Sequence, residues 1–140
     1  MRRIETSVDI AASPERVWSV LSDVRLMPTW TDSMTSVELD PPGPLAVGSR
    51  ARIHQPKLSP ATWVVSECTS VRSFAWHTTA MGATVTAFHT ITPTSSGSSV
   101  TLAVEYHGPF SSAVAGLTRT ITTKYLRMEA EGLKAACERR

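Results

Sequence analysis

The chain of 140 residues carries 14 Lys+Arg against 12 Asp+Glu, and a formal charge of +2 argues against a dedicated nucleic-acid binder. No run of about 18 apolar residues occurs, which excludes a transmembrane helix. A chain of this length can bury one well-formed core and not two, so residues 1–140 are expected to form a single domain.

Residues 4–10 alternate Ile4, Thr6, Val8 and Ile10 with Glu5, Ser7 and Asp9, the period of a half-buried strand. The period then changes. Ser13-Pro14-Glu15 sets an N-cap hydroxyl before a proline at the first helical position and an acid in the first turn. Val17, Trp18, Val20, Leu21 and Val24 supply the apolar face of a helix ending near Asp23, and Met27-Pro28-Thr29-Trp30 reads as a second, short helical turn. Strands are expected over residues 35–39, 49–55, 61–69, 73–80, 84–93 and 98–107, which brings the count to seven. Their separators are Pro41-Pro42-Gly43-Pro44, Gln55-Pro56-Lys57, residues 70–72, Met81-Gly82 and Ser95-Ser96-Gly97, and most are short enough to join antiparallel neighbours. From residue 111 to about 138 the helical period returns. Val114, Leu117, Ile121, Tyr125 and Met128 form one stripe, which Leu126, Leu133 and Cys137 widen. Gly116 and Gly132 within this helix point to a bend or a close backbone approach.

Between Ser73 and Thr118 the only Asp, Glu, Lys or Arg is Glu105, and three of the four histidines lie in that stretch. An antiparallel sheet with one apolar face must cover it, and the last helix is the only large apolar partner available. A helix about 10 Å wide cannot fill the concave side of seven twisted strands. A cavity between sheet and helix is the expected result, and such cavities hold small apolar ligands.

The opening IETSVDIAASPERVWSVLSDVRLMPTW runs a strand into S-P-E-x-V-W, then an Asp near the helix end and Pro-x-Trp. Gln55-Pro56-Lys57, Trp63, Ser73-Phe74-Ala75-Trp76, His89 before an I-T-P turn, and Tyr125-Leu126 with Glu129 continue the pattern. Over essentially the full chain this resembles the START/Bet v 1-like (SRPBCC) superfamily, in its polyketide cyclase/dehydrase and lipid transport group. The resemblance implies an α+β helix-grip fold: a seven-stranded curved antiparallel sheet wrapped around a long C-terminal helix, with two short helices after the first strand and a deep hydrophobic pocket. It does not carry a function, because the superfamily is similar in shape and diverse in activity.

Strand alternation assigns the faces. Val85, Ala87, His89 and Ile91 point inward, as do Val100, Leu102, Val104 and Tyr106; Phe74, Trp76 and Thr78; and Ala51, Ile53 and Gln55. In residues 61–69 both Trp63/Val65 and Val64/Cys68 are apolar, and Trp63 is favoured as the inward residue. The candidate ligand-contacting set is therefore Ile53, Gln55, Trp63, Trp76, Thr78, Ala87, His89, Val104 and Tyr106 from the strands, with Ile121, Tyr125 and Met128 from the helix. His89 and Tyr106 are the candidate proton-transfer residues, each with a plainer reading as a core side chain satisfied by protein neighbours. This inward set holds no Asp, Glu, Lys or Arg.

No HExxH, Cys-x-x-Cys, phosphate-loop or G-x-S-x-G pattern occurs, so neither a metal nor a cofactor is expected. Cys68 and Cys137 read as separate buried thiols. The start MRRIETSVDI has no apolar h-region, which makes the cytoplasm the default location. Three functions compete: a carrier of an apolar or amphipathic small molecule such as a lipid, polyketide or ring compound; a cyclase/dehydratase-type enzyme using His89 or Tyr106; and a homodimer or interaction module using the charge-poor outer face of the sheet.

Overall fold

The computed structural model describes residues 2–139. In chain order it contains β1 (Arg2–Ile10), α1 (Pro14–Leu21), a 3-10 helix (Val24–Thr29), β2 (Ser36–Asp40), β3 (Arg50–His54), β4 (Ala61–Thr69), β5 (Ser73–Ala80), β6 (Ala83–Thr94), β7 (Gly97–His107) and α2 (Ser111–Glu138). The strands form one antiparallel sheet in the order β1-β7-β6-β5-β4-β3-β2, so the first strand pairs with the last and β2 lies at the opposite edge. The two short helices carry the chain from one edge to the other. Among the described residues no helix is long and apolar enough to cross a membrane.

Local chemistry explains the element ends. Ser13 Oγ accepts from Arg16 N at 3.1 Å, and Pro14 follows as the first helical residue of α1. Between β5 and β6 the register closes on Ala80 and Ala83, leaving Met81 and Gly82 at φ 51° and 78° as a two-residue turn with both centres left-handed. In β4 the pairing with β5 shifts between Val65 and Glu67, so Ser66 is the extra residue of a bulge. Trp63 and Val65 face the concave side before the bulge, and Cys68, opposite Phe74, regains that side after it. That irregularity is why strict alternation leaves β4 ambiguous.

The concave face of the sheet packs unevenly on α2. Around the C-terminal half of the helix, Ala130, Leu133 and Cys137 join Ile10, Val17, Leu21, Val24 and Met27 in a solid core. Gly132 permits this contact, because a Cβ there would collide with the Trp30 carbonyl oxygen. Gly116, by contrast, faces open space. Toward its N-terminus α2 parts from the sheet and a hollow remains.

The helix stripe differs from the one that apolarity suggests. Its sheet-facing residues are Val114, Thr118, Thr122, Tyr125, Leu126, Glu129 and Leu133, whereas Leu117 is 76% exposed. At about 100° per residue, Leu117, Ile121 and Met128 lie about 120° to 160° round the helix from Leu133, and Thr118, Thr122 and Glu129 within about 60° of it. The tight contact at Gly132 fixes the rotation of the whole rod, so the hydroxyls go in and Leu117 goes out.

On the convex face Phe88 lies opposite Ala75 on one side and Ala103 on the other, and both alanines are buried. The Arg3 guanidinium sits 5.7 Å from the Phe88 ring centroid and pairs with Glu105, which His107 Nε2 also approaches at 3.2 Å. The single ionic group of the charge-poor stretch is thus met from β1 and from its own strand.

Candidate functional site

The hollow is a cavity of about 820 Å³ bounded by β3 to β7, the loop after β3 and the N-terminal two-thirds of α2. Of the residues expected there, Ile53, Gln55, Trp63, Trp76, Thr78, Ala87, His89, Val104, Tyr106 and Tyr125 line it. Ile121 and Met128 do not; Met128 lies instead in a shallow groove on the outside of α2 with Arg119, Lys124 and Arg127. The wall also includes Val85, expected inward, and Val114 of the apolar helix stripe, and residues not foreseen: Met34 and Leu58, with the polar Thr118, Thr122 and Glu129. Glu129 corrects the expectation of an inward set free of carboxylates.

The aromatic wall is continuous. Trp63 and Trp76 stand 6.3 Å apart, Phe74 meets Trp76 edge-on at 5.1 Å, and Phe74 stacks on His89 at 3.9 Å. His89 Nδ1 lies 3.2 Å from the Phe74 carbonyl oxygen. A carbonyl only accepts, so Nδ1 carries the proton and Nε2 of the neutral ring is an acceptor. Burial holds this imidazole down at a pKa of about 4, so it is uncharged at neutral pH.

Tyr106 is tied into the helix. Its hydroxyl lies 3.0 Å from Thr118 Oγ1 and 2.9 Å from Thr122 Oγ1, while Thr118 Oγ1 donates to the Val114 carbonyl at 2.8 Å. Because the Thr118 proton is spent on Val114, Tyr106 must donate to Thr118 and Thr122 must donate to Tyr106. The phenol proton is therefore committed within the protein. Tyr125 likewise donates to the Pro56 carbonyl, which fastens α2 to the loop after β3, and Gln55 Nε2 donates to the Ser33 carbonyl at 3.2 Å.

Glu129 is buried at the end of the cavity where Ser33, Met34 and Gln55 come together. Burial pushes its carboxyl up to about 8, against a smaller opposing effect of the Ser33 hydroxyl, so it is mostly protonated at neutral pH. The spacing Tyr125–Glu129, one helical turn, was the available signal for an inward glutamate. Among the described residues no group of three His, Cys, Asp or Glu is placed to hold a metal.

These features agree with the relatives of the chain. The sequence matches the family described as polyketide cyclase / dehydrase and lipid transport over residues 1–138, and the protein belongs to that family. Its helix-grip architecture is that of Bet v 1-like proteins. Norcoclaurine synthase from Thalictrum flavum, solved with dopamine and hydroxybenzaldehyde, superposes with a TM-score of 0.73 at 16% identity over 96% of this chain and 85% of that one. The protein TTHA0849 from Thermus thermophilus gives 0.75 at 15% identity over 97% of both chains. The di-domain ARO/CYC StfQ of the steffimycin biosynthetic pathway gives 0.76 at 13% identity, over 97% of this chain and 50% of that one. At such identities the likeness concerns the fold alone. No curated protein matches by sequence.

Proposed function

We propose that the protein binds a neutral, largely apolar small molecule, such as a lipid, polyketide or other ring compound, in the cavity between sheet and α2. The observation that carries this reading is the cavity itself: about 820 Å³, within the range of drug-sized ligand sites, walled by Trp63, Trp76 and aliphatic side chains. Its buried ionisable groups are held neutral, His89 by a lowered pKa and Glu129 by a raised one. An uncharged interior favours an uncharged guest, since an unpaired charge carried into it would lose its hydration.

The test is displacement of a fluorescent probe. N-phenyl-1-naphthylamine, an apolar dye that brightens out of water, should bind the wild type, and Ala87→Phe, which fills the hollow beside His89, should weaken it by about tenfold or more with the melting temperature retained. Equal binding by both proteins would place the dye elsewhere and remove the support for a cavity ligand.

A second reading, a cyclase/dehydratase-type enzyme, is favoured by the open Nε2 of His89, which could accept a proton next to a carbonyl. A pKa of about 4 makes that nitrogen a weak base, and the Tyr106 proton is engaged, so binding is the stronger reading.

A further inference from the structure

We propose that the Glu129 carboxyl is a ligand-binding group that donates a hydrogen bond to a carbonyl oxygen, so that the cavity prefers neutral ring ketones to hydrocarbons of the same size. This rests on the cavity being a ligand site, and it names the chemistry of one end of the ligand.

The geometry leaves Glu129 free for this role. Around it the Gln55 amide is turned to the Ser33 carbonyl, the Tyr125 hydroxyl to Pro56, and the Tyr106 hydroxyl to Thr118. Among the described residues the one polar group that acts on the carboxyl is the Ser33 hydroxyl, which also lies 2.8 Å from Thr31 Oγ1. Where Thr31 Oγ1 donates to Ser33, the Ser33 hydroxyl is left to donate to the carboxyl, and a protonated carboxyl that accepts from it still has an O–H to give to the cavity it lines. In the same cavity the His89 Nε2 offers an acceptor, so a guest with a carbonyl toward Glu129 and a hydroxyl toward His89 would satisfy both.

Among the described residues no ionic partner holds the carboxyl in its charged form. The titratable groups facing the cavity beside it are His89 from β6, Tyr106 from β7 and Tyr125 from α2 itself, with the exposed Arg52 of β3 at the rim. Asp32 beside Ser33 is exposed, and Lys57 in the loop after β3 is exposed. From α1, Arg16 reaches the Ala136 carbonyl, two turns further along α2, and β1 offers its Asp9 carbonyl to Lys134, which also pairs with Glu138. Only burial and Ser33 set the behaviour of Glu129.

The experiment compares two neutral dyes, the naphthyl ketone 6-propionyl-2-(dimethylamino)naphthalene and the carbonyl-free N-phenyl-1-naphthylamine. In the wild type the ketone should bind about tenfold more tightly at about pH 6 than at about pH 9.5, while the carbonyl-free dye is unchanged. Glu129→Gln keeps a donor and loses the titration, so ketone affinity should become independent of pH. Glu129→Leu should lose the ketone preference and keep the other dye. A flat ketone profile in the wild type, a parallel decline for both dyes, or a surviving pH dependence in Glu129→Gln overturns the proposal. Binding of the carbonyl-free dye without any ketone preference overturns this inference alone, whereas binding of neither dye overturns the cavity reading with it.

Discussion

Burial acts on Glu129 and His89 in opposite directions because it disfavours whichever form is charged, the base form of an acid and the acid form of a base. The Glu129 carboxyl moves from 4.5 to about 8, so between those values the unfolded chain gives up a proton that the folded one keeps, and stability falls as pH rises through that window. His89 moves from 6.5 to about 4, so stability falls as pH drops from 6.5 toward 4. Where the windows overlap the two slopes oppose each other. Urea midpoints should therefore be nearly level from about pH 4.5 to 6.5 and decline from there to about pH 8. Glu129→Gln should remove that decline and stabilise the protein by a few kcal/mol near pH 8, with little effect near pH 4. A decline that persists in the variant would show that another group is responsible. Of these two residues, His89 is read inward from the sequence directly, because strand alternation is a strict period of two. Glu129 is marked only by its spacing of one turn from Tyr125, a weaker signal, because the apolar stripe of the helix points elsewhere and this carboxyl sits among apolar neighbours as an acid without charge.

Among the elements, α2 shows most clearly how packing overrides pattern. Its rotation is set where Gly132 meets the Trp30 carbonyl, and that choice turns Thr118 and Thr122 toward Tyr106 and leaves Leu117 in solvent. The two glycines of this helix should respond oppositely to a methyl group. Gly132→Ala would force α2 off the 3-10 segment and destabilise by about 2–4 kcal/mol, as overpacked close approaches do. Gly116→Ala meets nothing and should stabilise by about 0.5–1 kcal/mol through helix propensity alone. Thermal or urea unfolding of the two variants decides it, and a neutral Gly132→Ala would mean that the contact is not what sets the rotation. In β4, the Ser66 bulge puts Val65 and Cys68 on one side, which a two-residue period cannot express.

At the scale of the molecule, one end is packed and the other is hollow. Leu133, Val17, Leu21 and Met27 fill the first; the second is held open by the aromatic wall on the sheet and by the Tyr125–Pro56 tie between α2 and the loop after β3. Backbone hydrogen exchange should follow this division, slow in β1, β7 and the C-terminal half of α2, and faster in β3, the following loop and the first three turns of α2. Saturation with N-phenyl-1-naphthylamine should slow exchange in the hollow half and leave the packed half unchanged. Uniform protection before and after would contradict a stability that differs between the halves. The charge-poor stretch from Ser73 to Thr118 belongs to both layers of this plan. Its inward residues wall the cavity, while outside Phe88 covers Ala75 and Ala103 and Arg3 answers Glu105.

The seven strands, the capped first helix and the long last one were set by local chemistry: a period of two, a Ser-Pro cap, turn residues and a period near 3.6, all of which act over a few neighbours. The inward positions of Trp76, His89 and Tyr106 followed from the same period, while that of Trp63 was one of two faces the period left open. Only the tertiary structure decided the rotation of α2, the bulge in β4, the partners of Tyr106 and the burial of Glu129. Each depends on groups far apart in the chain: Gly132 against Trp30, Val65 against Trp76, Tyr106 against Thr118, Glu129 near Ser33. A carboxyl becomes a neutral hydrogen-bond donor through the loss of water around it, and that loss exists only once sheet and helix have closed.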